Sequence, residues 1–141
     1  MHSLDDPHIW ISSVDGQTLR QLTIDRDPDP IQKTGEGNPA WSPDGSQIAF
    51  ASSGHIWVIS PDGSNLTQLT TDVSSDRAPA WSPDGTRIAF ASNRGGSENI
   101  WIMNADGTDP RKVTDGSLAE MFFKPAFSPD GRWLVFSWRW A

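Results

Sequence analysis

The 141-residue sequence lacks cysteine and tyrosine, and no apolar run approaches the roughly 18 residues that span a bilayer. Without cysteine, disulfides, thiol chemistry and thiolate metal sites are excluded. The formal net charge is −7, from 11 Lys and Arg against 18 Asp and Glu, and the basic residues form no cluster in the sequence. Because an acidic surface repels phosphate, we expect no nucleic-acid partner, and we expect no membrane insertion.

Tryptophan, glycine and proline are abundant, with 8, 12 and 11 residues respectively. Gly and Pro interrupt many short apolar segments, and no segment shows a sustained helical period. Short apolar segments separated by turn residues are typical of an all-β protein. The sequence therefore predicts the all-β class before any motif is considered.

One hairpin motif occurs three times along the chain. The sequence NPAWSPDG at 38–45 recurs as APAWSPDG at 78–85 and as KPAFSPDG at 124–131. An apolar segment follows each copy, at 48–50, 88–90 and 134–136. In each turn, Pro fixes φ, Asp bonds back to the backbone and Gly accepts the positive φ that a hairpin needs. Each copy is therefore predicted to form two antiparallel strands, A and B.

A second motif alternates with the first. HIWI at 8–11 matches HIWV at 55–58 and NIWI at 99–102, and an Asp-Gly turn follows each copy. A short strand then follows at 19–23, 66–70 and 111–114. These segments supply strands C and D. Four antiparallel strands in about 40–45 residues are typical of a β-propeller blade.

The motifs that carry this pattern resemble the TolB-like propeller repeat, whose signature is Pro-Ala-Trp-Ser-Pro-Asp-Gly followed by Ile-Ala-Phe and Ile-Trp. The resemblance covers nearly the whole chain, from residue 8 to about 137. It implies a β-propeller fold. It does not indicate a single function, because such blades occur both in periplasmic proteins with protein partners and in peptidases. It also implies a periplasmic location, on the condition that a secretory signal was removed. The condition is needed because residues 1–7 do not form such a signal.

The phase of the repeat predicts how the chain assembles. We interpret 1–141 as one propeller segment with a C–D half-blade at 8–24, blades at 38–71 and 78–115, and an A–B half-blade at 125–140. This makes about three blades, whereas closed propellers have about 4–8. We expect two chains to exchange half-blades and close a six-bladed ring as a two-fold homodimer. The alternative is a segment cut from a longer propeller.

Three hypotheses for function remain open. The first is a protein-interaction or assembly scaffold with no catalytic activity and no cofactor, whose partner is itself and possibly another protein. The second is a propeller that binds a small ligand or a metal in its central channel and is possibly enzymatic. The third is a consensus design or a product of recent repeat amplification, with no dedicated biochemical role beyond assembly itself, as the near-identical segments 39–52 and 79–92 suggest. A serine hydrolase is not expected, because no Gly-x-Ser-x-Gly motif is present.

Two groups of residues are weak candidates for polar or metal sites. His8, His55 and Asn99 share one repeat position at the start of strand C, where they either bond to their own blade or form a polar ring around the channel. The other group has the 1, 3, 5 and 12 spacing of a Ca²⁺ loop but Pro30 where such a loop has Gly, so solvated carboxylates are the expected interpretation. It consists of Asp25, Asp27, Asp29 and Glu36.

Partner contacts are expected in the loops between blades and in the aromatic C-terminal strand, because variable loops on a rigid repeat carry recognition. A packing role is the alternative for each residue, and at the C-terminal strand the rings would then fill the space between blades. The candidates are Arg77, Arg94, Met121, Phe122, Phe123, Trp138 and Trp140.

Overall fold

The computed structural model describes residues 8–23, 37–117 and 120–140, and every regular element in these ranges is a β-strand. The strands follow the order that the repeat predicts. They are β1 Trp10–Ser12, β2 Leu19–Gln21, β3 Gly37–Trp41, β4 Ile48–Ser52, β5 His55–Ile59, β6 Thr67–Gln68, β7 Asp76–Trp81, β8 Arg87–Ser92, β9 Asn99–Asn104, β10 Arg111–Lys112, β11 Glu120–Phe127 and β12 Leu134–Trp140.

These strands form two four-stranded antiparallel sheets and two hairpins. The sheets have the orders β3-β4-β5-β6 and β7-β8-β9-β10, and the hairpins are β1-β2 and β11-β12. Each strand pairs with its neighbour in the sequence, as the strands of a propeller blade do. The predicted all-β fold of propeller blades is confirmed, and the chain is a partial propeller of about three blades. Closure by a second chain stays a prediction.

Strand alternation builds the contacts between neighbouring sheets, which we call seams. On β4, Ile48 and Phe50 pack towards the hairpin β1-β2, whereas Ala49 and Ala51 pack towards the sheet β7-β10. Successive residues of a strand point to opposite faces, so one strand serves two seams. The third seam joins Ile100 of β9 to the hairpin β11-β12. The inner strands β3, β7 and β11 lie side by side and define the axial side of the stack.

Each inner strand contains a bulge that the sequence analysis did not predict. The residue before the strand's proline has a positive φ, at Asn38 (53°), Ala78 (53°) and Lys124 (50°), and the pairing register shifts there. A bulge absorbs one extra residue, so pairing continues upstream of the proline. Strand β11 therefore begins at Glu120, ahead of the expected start at 125.

The A–B turns are closed by hydrogen bonds that repeat from blade to blade. Ser82 Oγ donates to Asp84 Oδ1 at 2.6 Å and accepts the N–H of Arg87 at 3.0 Å. Asp84 Oδ1 also accepts the N–H of Thr86 at 3.0 Å. These donors favour the charged carboxylate and lower the pKa of Asp84 from 3.8 to about 2. The Ser82 hydroxyl has the largest effect and the Thr86 N–H the next largest. Asp44 has the same arrangement and a pKa of about 2.

A buried ion pair links the start of β7 to the loop that follows β8. Asp76 is only 1% exposed, and its Oδ1 accepts the Ser92 hydroxyl at 2.5 Å. Its Oδ2 lies 2.9 Å from Nη2 of Arg94, whose side chain is 10% exposed. The Arg94 guanidinium lies 4.9 Å from the ring centroid of Phe90 and 5.4 Å from that of Trp101. Charge pairing and cation–π contacts together compensate for the desolvation of Arg94.

Replacing Ser82 with alanine removes the main donor to Asp84, so we expect the pKa of the Asp84 carboxyl to rise from about 2 towards 3.8. Because the folded pKa lies below the unfolded one, Asp84 stabilises the fold above about pH 4, and this contribution is lost as the pH falls through 2. Carboxyl NMR titration measures the shift, with Asp44 as the unchanged internal control. An unaltered Asp84 pKa would show that the Ser82 hydroxyl does not stabilise the Asp84 carboxylate.

Replacing Asp76 with alanine leaves Arg94 buried without its closest anion, and we expect the free energy of unfolding to fall by about 3–5 kcal/mol. Urea denaturation measures this loss. The control is Arg111→Ala, because Arg111 and Asp109 form an exposed pair at 3.8 Å. That variant should lose less than about 1 kcal/mol. Equal losses in the two variants would contradict a stabilising role for the buried pair.

Candidate interaction site

The C-terminal hairpin carries an open sheet edge. Within the described residues, β12 pairs with β11 on one side and with no strand on the other. Trp138 and Trp140 are exposed along this strand with their rings 5.7 Å apart, and Trp133, directly before the strand, is also exposed. Val135 is 69% exposed on the same strand. Unpaired backbone groups bordered by apolar side chains form a template for another strand.

A second open edge lies at the other end of the stack. Strand β1 pairs only with β2 among the residues that the structure describes. Trp10 of β1 is 54% exposed, and Leu19 of β2 is also exposed. Trp41, at the end of β3, is 52% exposed and pairs in register with Ile48, which packs towards this hairpin. Apolar surface is therefore concentrated at both ends of the stack, where it is typical of an interaction site.

The exposed residues occupy repeat positions that are covered at the internal seams. Val135 corresponds to Ala49, which is completely buried. Trp10 corresponds to Trp57, which is 5% exposed. Trp41 corresponds to Trp81, whose Nε1 donates to the carbonyl of Ala40 across a seam at 3.1 Å. The surface at the two ends thus has the composition of a seam with one of its two sides missing.

The hairpin β11-β12 is more aromatic than its equivalents. Phe122 is buried and meets Phe136 edge to face, with ring centroids 5.7 Å apart. Phe122 pairs in register with Trp138, whereas Asp76 pairs with Ser92 at the same position of the preceding sheet. An aromatic pair replaces a polar one here. Phe122 therefore has a packing role, and Trp138 remains exposed at the open edge.

The other predicted contact residues have different environments. The guanidinium of Arg94 is engaged by Asp76 and by two rings, which leaves little surface for a partner. Nη2 of Arg77 lies 2.6 Å from Oε1 of Glu98, and the guanidinium carbon lies 6.0 Å from the ring centroid of Phe123. Burial raises the pKa of Glu98, which the Arg77 charge opposes. Met121 is half-buried on β11.

The structure places His8, His55 and Asn99, the candidates for a polar ring around the channel, away from the inner strands. His55 and Asn99 begin β5 and β9, the third strands of their sheets, whereas β3, β7 and β11 lie on the axial side. His8 precedes β1, which holds the same place in the repeat. Asn99 is buried, and its Oδ1 accepts Thr114 Oγ1 at 2.8 Å and Gly116 N–H at 2.7 Å. Asn99 thus bonds to its own blade, as the alternative interpretation of this position expected.

A repeated threonine at the end of strand D was not predicted from the sequence. Each threonine hydroxyl accepts the N–H of the isoleucine in the Ile-Trp pair of strand C, at 2.9–3.0 Å, and so ties the two outer strands together. The signal was visible, since a threonine ends all three D segments. The pairs are Thr23 with Ile9, Thr70 with Ile56 and Thr114 with Ile100.

The weak Ca²⁺ candidates Asp25, Asp27, Asp29 and Glu36 lie outside the described residues. Within ranges 8–23, 37–117 and 120–140, no group of three or more His, Asp or Glu residues is arranged to hold a metal ion. The same ranges contain no helix with the length and apolarity to cross a membrane.

Solved structures share this fold. A protein assigned as TolB from Agrobacterium tumefaciens matches with 28% identity and a TM-score of 0.80, over 94% of this chain and 46% of that one. TolB from Acinetobacter baumannii matches with 23% identity and a TM-score of 0.69, over 90% and 31%. An oligogalacturonate lyase from Vibrio parahaemolyticus matches with 18% identity and a TM-score of 0.61, over 90% and 34%. The chain thus spans less than half of each of these structures.

A search of curated protein sequences gives no match. The family description "TolB beta propeller domain" matches residues 6–140, which is nearly the whole chain. The match includes both hairpins and both four-stranded sheets. Together with the repeated turns and seams, it shows that this chain belongs to the TolB β-propeller domain family.

Proposed function

We propose that this chain is a protein-interaction module without catalytic activity, and that a second copy completes its open edges to form a six-bladed ring. The observation that carries the proposal is the exposure of seam residues at both ends of the stack, at positions that are buried between internal blades. The two ends are complementary. One offers strands A and B of a blade and the other offers strands C and D.

The internal sheets define the register of the proposed contact. Phe50 of β4 lies opposite Trp57 of β5, and Phe90 of β8 lies opposite Trp101 of β9. At the corresponding positions, Phe136 of one copy lies opposite Trp10 of the other. The same register places Val135 opposite Ile11. Register is strongly specified where a strand face becomes buried, so a shift by one residue would expose the seam residues.

The second copy would also complete the adjoining seam. Val135 takes the place of Ala49, so it would pack against the cluster that contains Ile48 and Phe50 of the other copy. Trp41 of that copy would donate to the carbonyl of Ala126, as Trp81 donates to Ala40 within the chain. The contact thus combines strand pairing with burial of apolar rings, as obligate interfaces do.

Two-fold symmetry makes the exchange self-consistent. Each copy gives one hairpin and receives one, so both open edges are paired at once. Six blades fall within the usual range of about 4–8 for closed propellers. The match to just under half of the TolB structure from Agrobacterium tumefaciens supports this count, because half a ring would match in the same way.

The 141-residue chain should sediment at micromolar concentration with twice its mass of 15.5 kDa. Val135→Lys should shift the equilibrium to the monomer, since it would bury an ammonium group in the seam. The matched control is Val73→Lys, which makes the same change at a fully exposed loop position. A wild-type mass of one chain, or dissociation by Val73→Lys as well, would contradict the proposal.

The register can be tested separately with a double variant, Val135→Cys with Ile11→Cys. The chain has no cysteine, so mild oxidation should give a covalent dimer on a non-reducing gel. Val135→Cys with Ser12→Cys moves one thiol to the opposite strand face and should cross-link poorly. Preferential cross-linking of this shifted pair would refute the proposed register.

A further inference from the structure

The bulges of the three inner strands open a groove on the axial side of the stack. Its volume is about 370 Å³, and its lining includes the three bulge residues of positive φ, Asn38, Ala78 and Lys124. A bulge re-aims the side chain that it carries, which is how one residue from each sheet comes to line the same groove. A different residue occupies this position in every repeat. Neither the turn motif nor packing between blades therefore determines which residue it holds.

The groove is basic although the chain is acidic. Arg77, Lys124 and Arg139 contribute to the lining, which contains no carboxylate, whereas the net charge of the chain is −7. Glu98 pairs with Arg77 from outside the lining. None of the ion pairs formed within the described residues includes Lys124 or Arg139. Two exposed cations therefore face the groove together with Arg77, whose charge is paired with Glu98.

An aromatic ring orders two of these cations. The ring centroid of Phe123 lies 6.0 Å from the guanidinium carbon of Arg77 and 5.2 Å from that of Arg139. Such cation–π contacts hold a guanidinium in place. Nη2 of Arg77 pairs with Glu98 and Nη2 of Arg139 lies 3.7 Å from Sδ of Met121, which leaves the other N–H groups of each guanidinium for a ligand. A planar guanidinium matches a carboxylate or a phosphate with two parallel hydrogen bonds. Phe123 thus pre-positions two anion-binding groups in one groove.

We propose that this groove binds a small polyanion that carries at least two carboxylate or phosphate groups. Its volume lies at the lower end of the range of about 300–1,000 Å³ for ligand sites, which favours a small molecule. Every residue of the site comes from one chain, so the site exists whether or not a second copy closes the ring. It is thus independent of the assembly proposal.

Isothermal titration calorimetry at low salt tests the proposal with citrate and pyrophosphate as probes and acetate as the monovalent control. We expect saturable 1:1 binding of at least one polyanion and at least tenfold weaker binding of acetate. Stronger binding of citrate would identify a carboxylate site, and stronger binding of pyrophosphate a phosphate site. Either preference supports the proposal. The absence of saturable binding of both polyanions at millimolar concentration would overturn it.

Three substitutions that each remove one positive charge distinguish binding in the groove from attraction by the net charge of the chain. Arg139→Gln and Lys124→Gln should each weaken polyanion binding at least tenfold, whereas Arg132→Gln, at an exposed turn position before β12, should leave it unchanged. All three residues are exposed, and thermal unfolding and sedimentation verify that fold and assembly match the wild type. Equal weakening by all three substitutions would show that net charge alone attracts the anion and would overturn the site.

Discussion

Packing between blades is the interaction on which the rest of this structure depends. A four-stranded sheet of this chain has two faces, and β4 shows how each is used, with Phe50 packed to one side and Ala49 to the other. Neither face is buried within its own sheet. Each blade therefore needs a neighbour on both sides, and this requirement leads directly to a ring. Wherever the neighbour is missing, seam residues such as Trp41 and Val135 are left exposed.

Much of the fold could be predicted because its signals are local. The turns depend on Asp and Gly within a few residues, and the hydrogen bonds of Ser82 and Asp84 are what that pattern requires. Strand order followed from the alternation of the two motifs. The inner-strand bulge could not be predicted, because a positive φ at Ala78 is imposed by pairing with β8 and not by alanine itself.

The site was harder to predict than the fold, since side-chain roles depend on contacts between distant residues. Arg94 was a candidate for partner contact, yet a buried carboxylate 18 positions away engages it. The polar position at Asn99 was left open between a channel ring and bonds within its own blade, and only the structure shows that Asn99 bonds to Thr114 and Gly116. The aromatic β12 was recognised, because alternation along a strand is visible in sequence. Its open edge was expected from the phase of the repeat, which ends on an A–B half-blade, and the sheet order of the described residues shows it.

The central claim is that the edge of β12 pairs with a strand of a second copy. About half of the backbone amides of β12 point away from β11, by the geometry of an antiparallel strand. Amide hydrogen exchange of β12, measured at nanomolar and micromolar chain concentrations, tests the claim most directly. The account predicts that these amides become protected as concentration rises, whereas protection in β8, which is paired on both sides, stays constant. Rapid exchange along the open edge at both concentrations would contradict it.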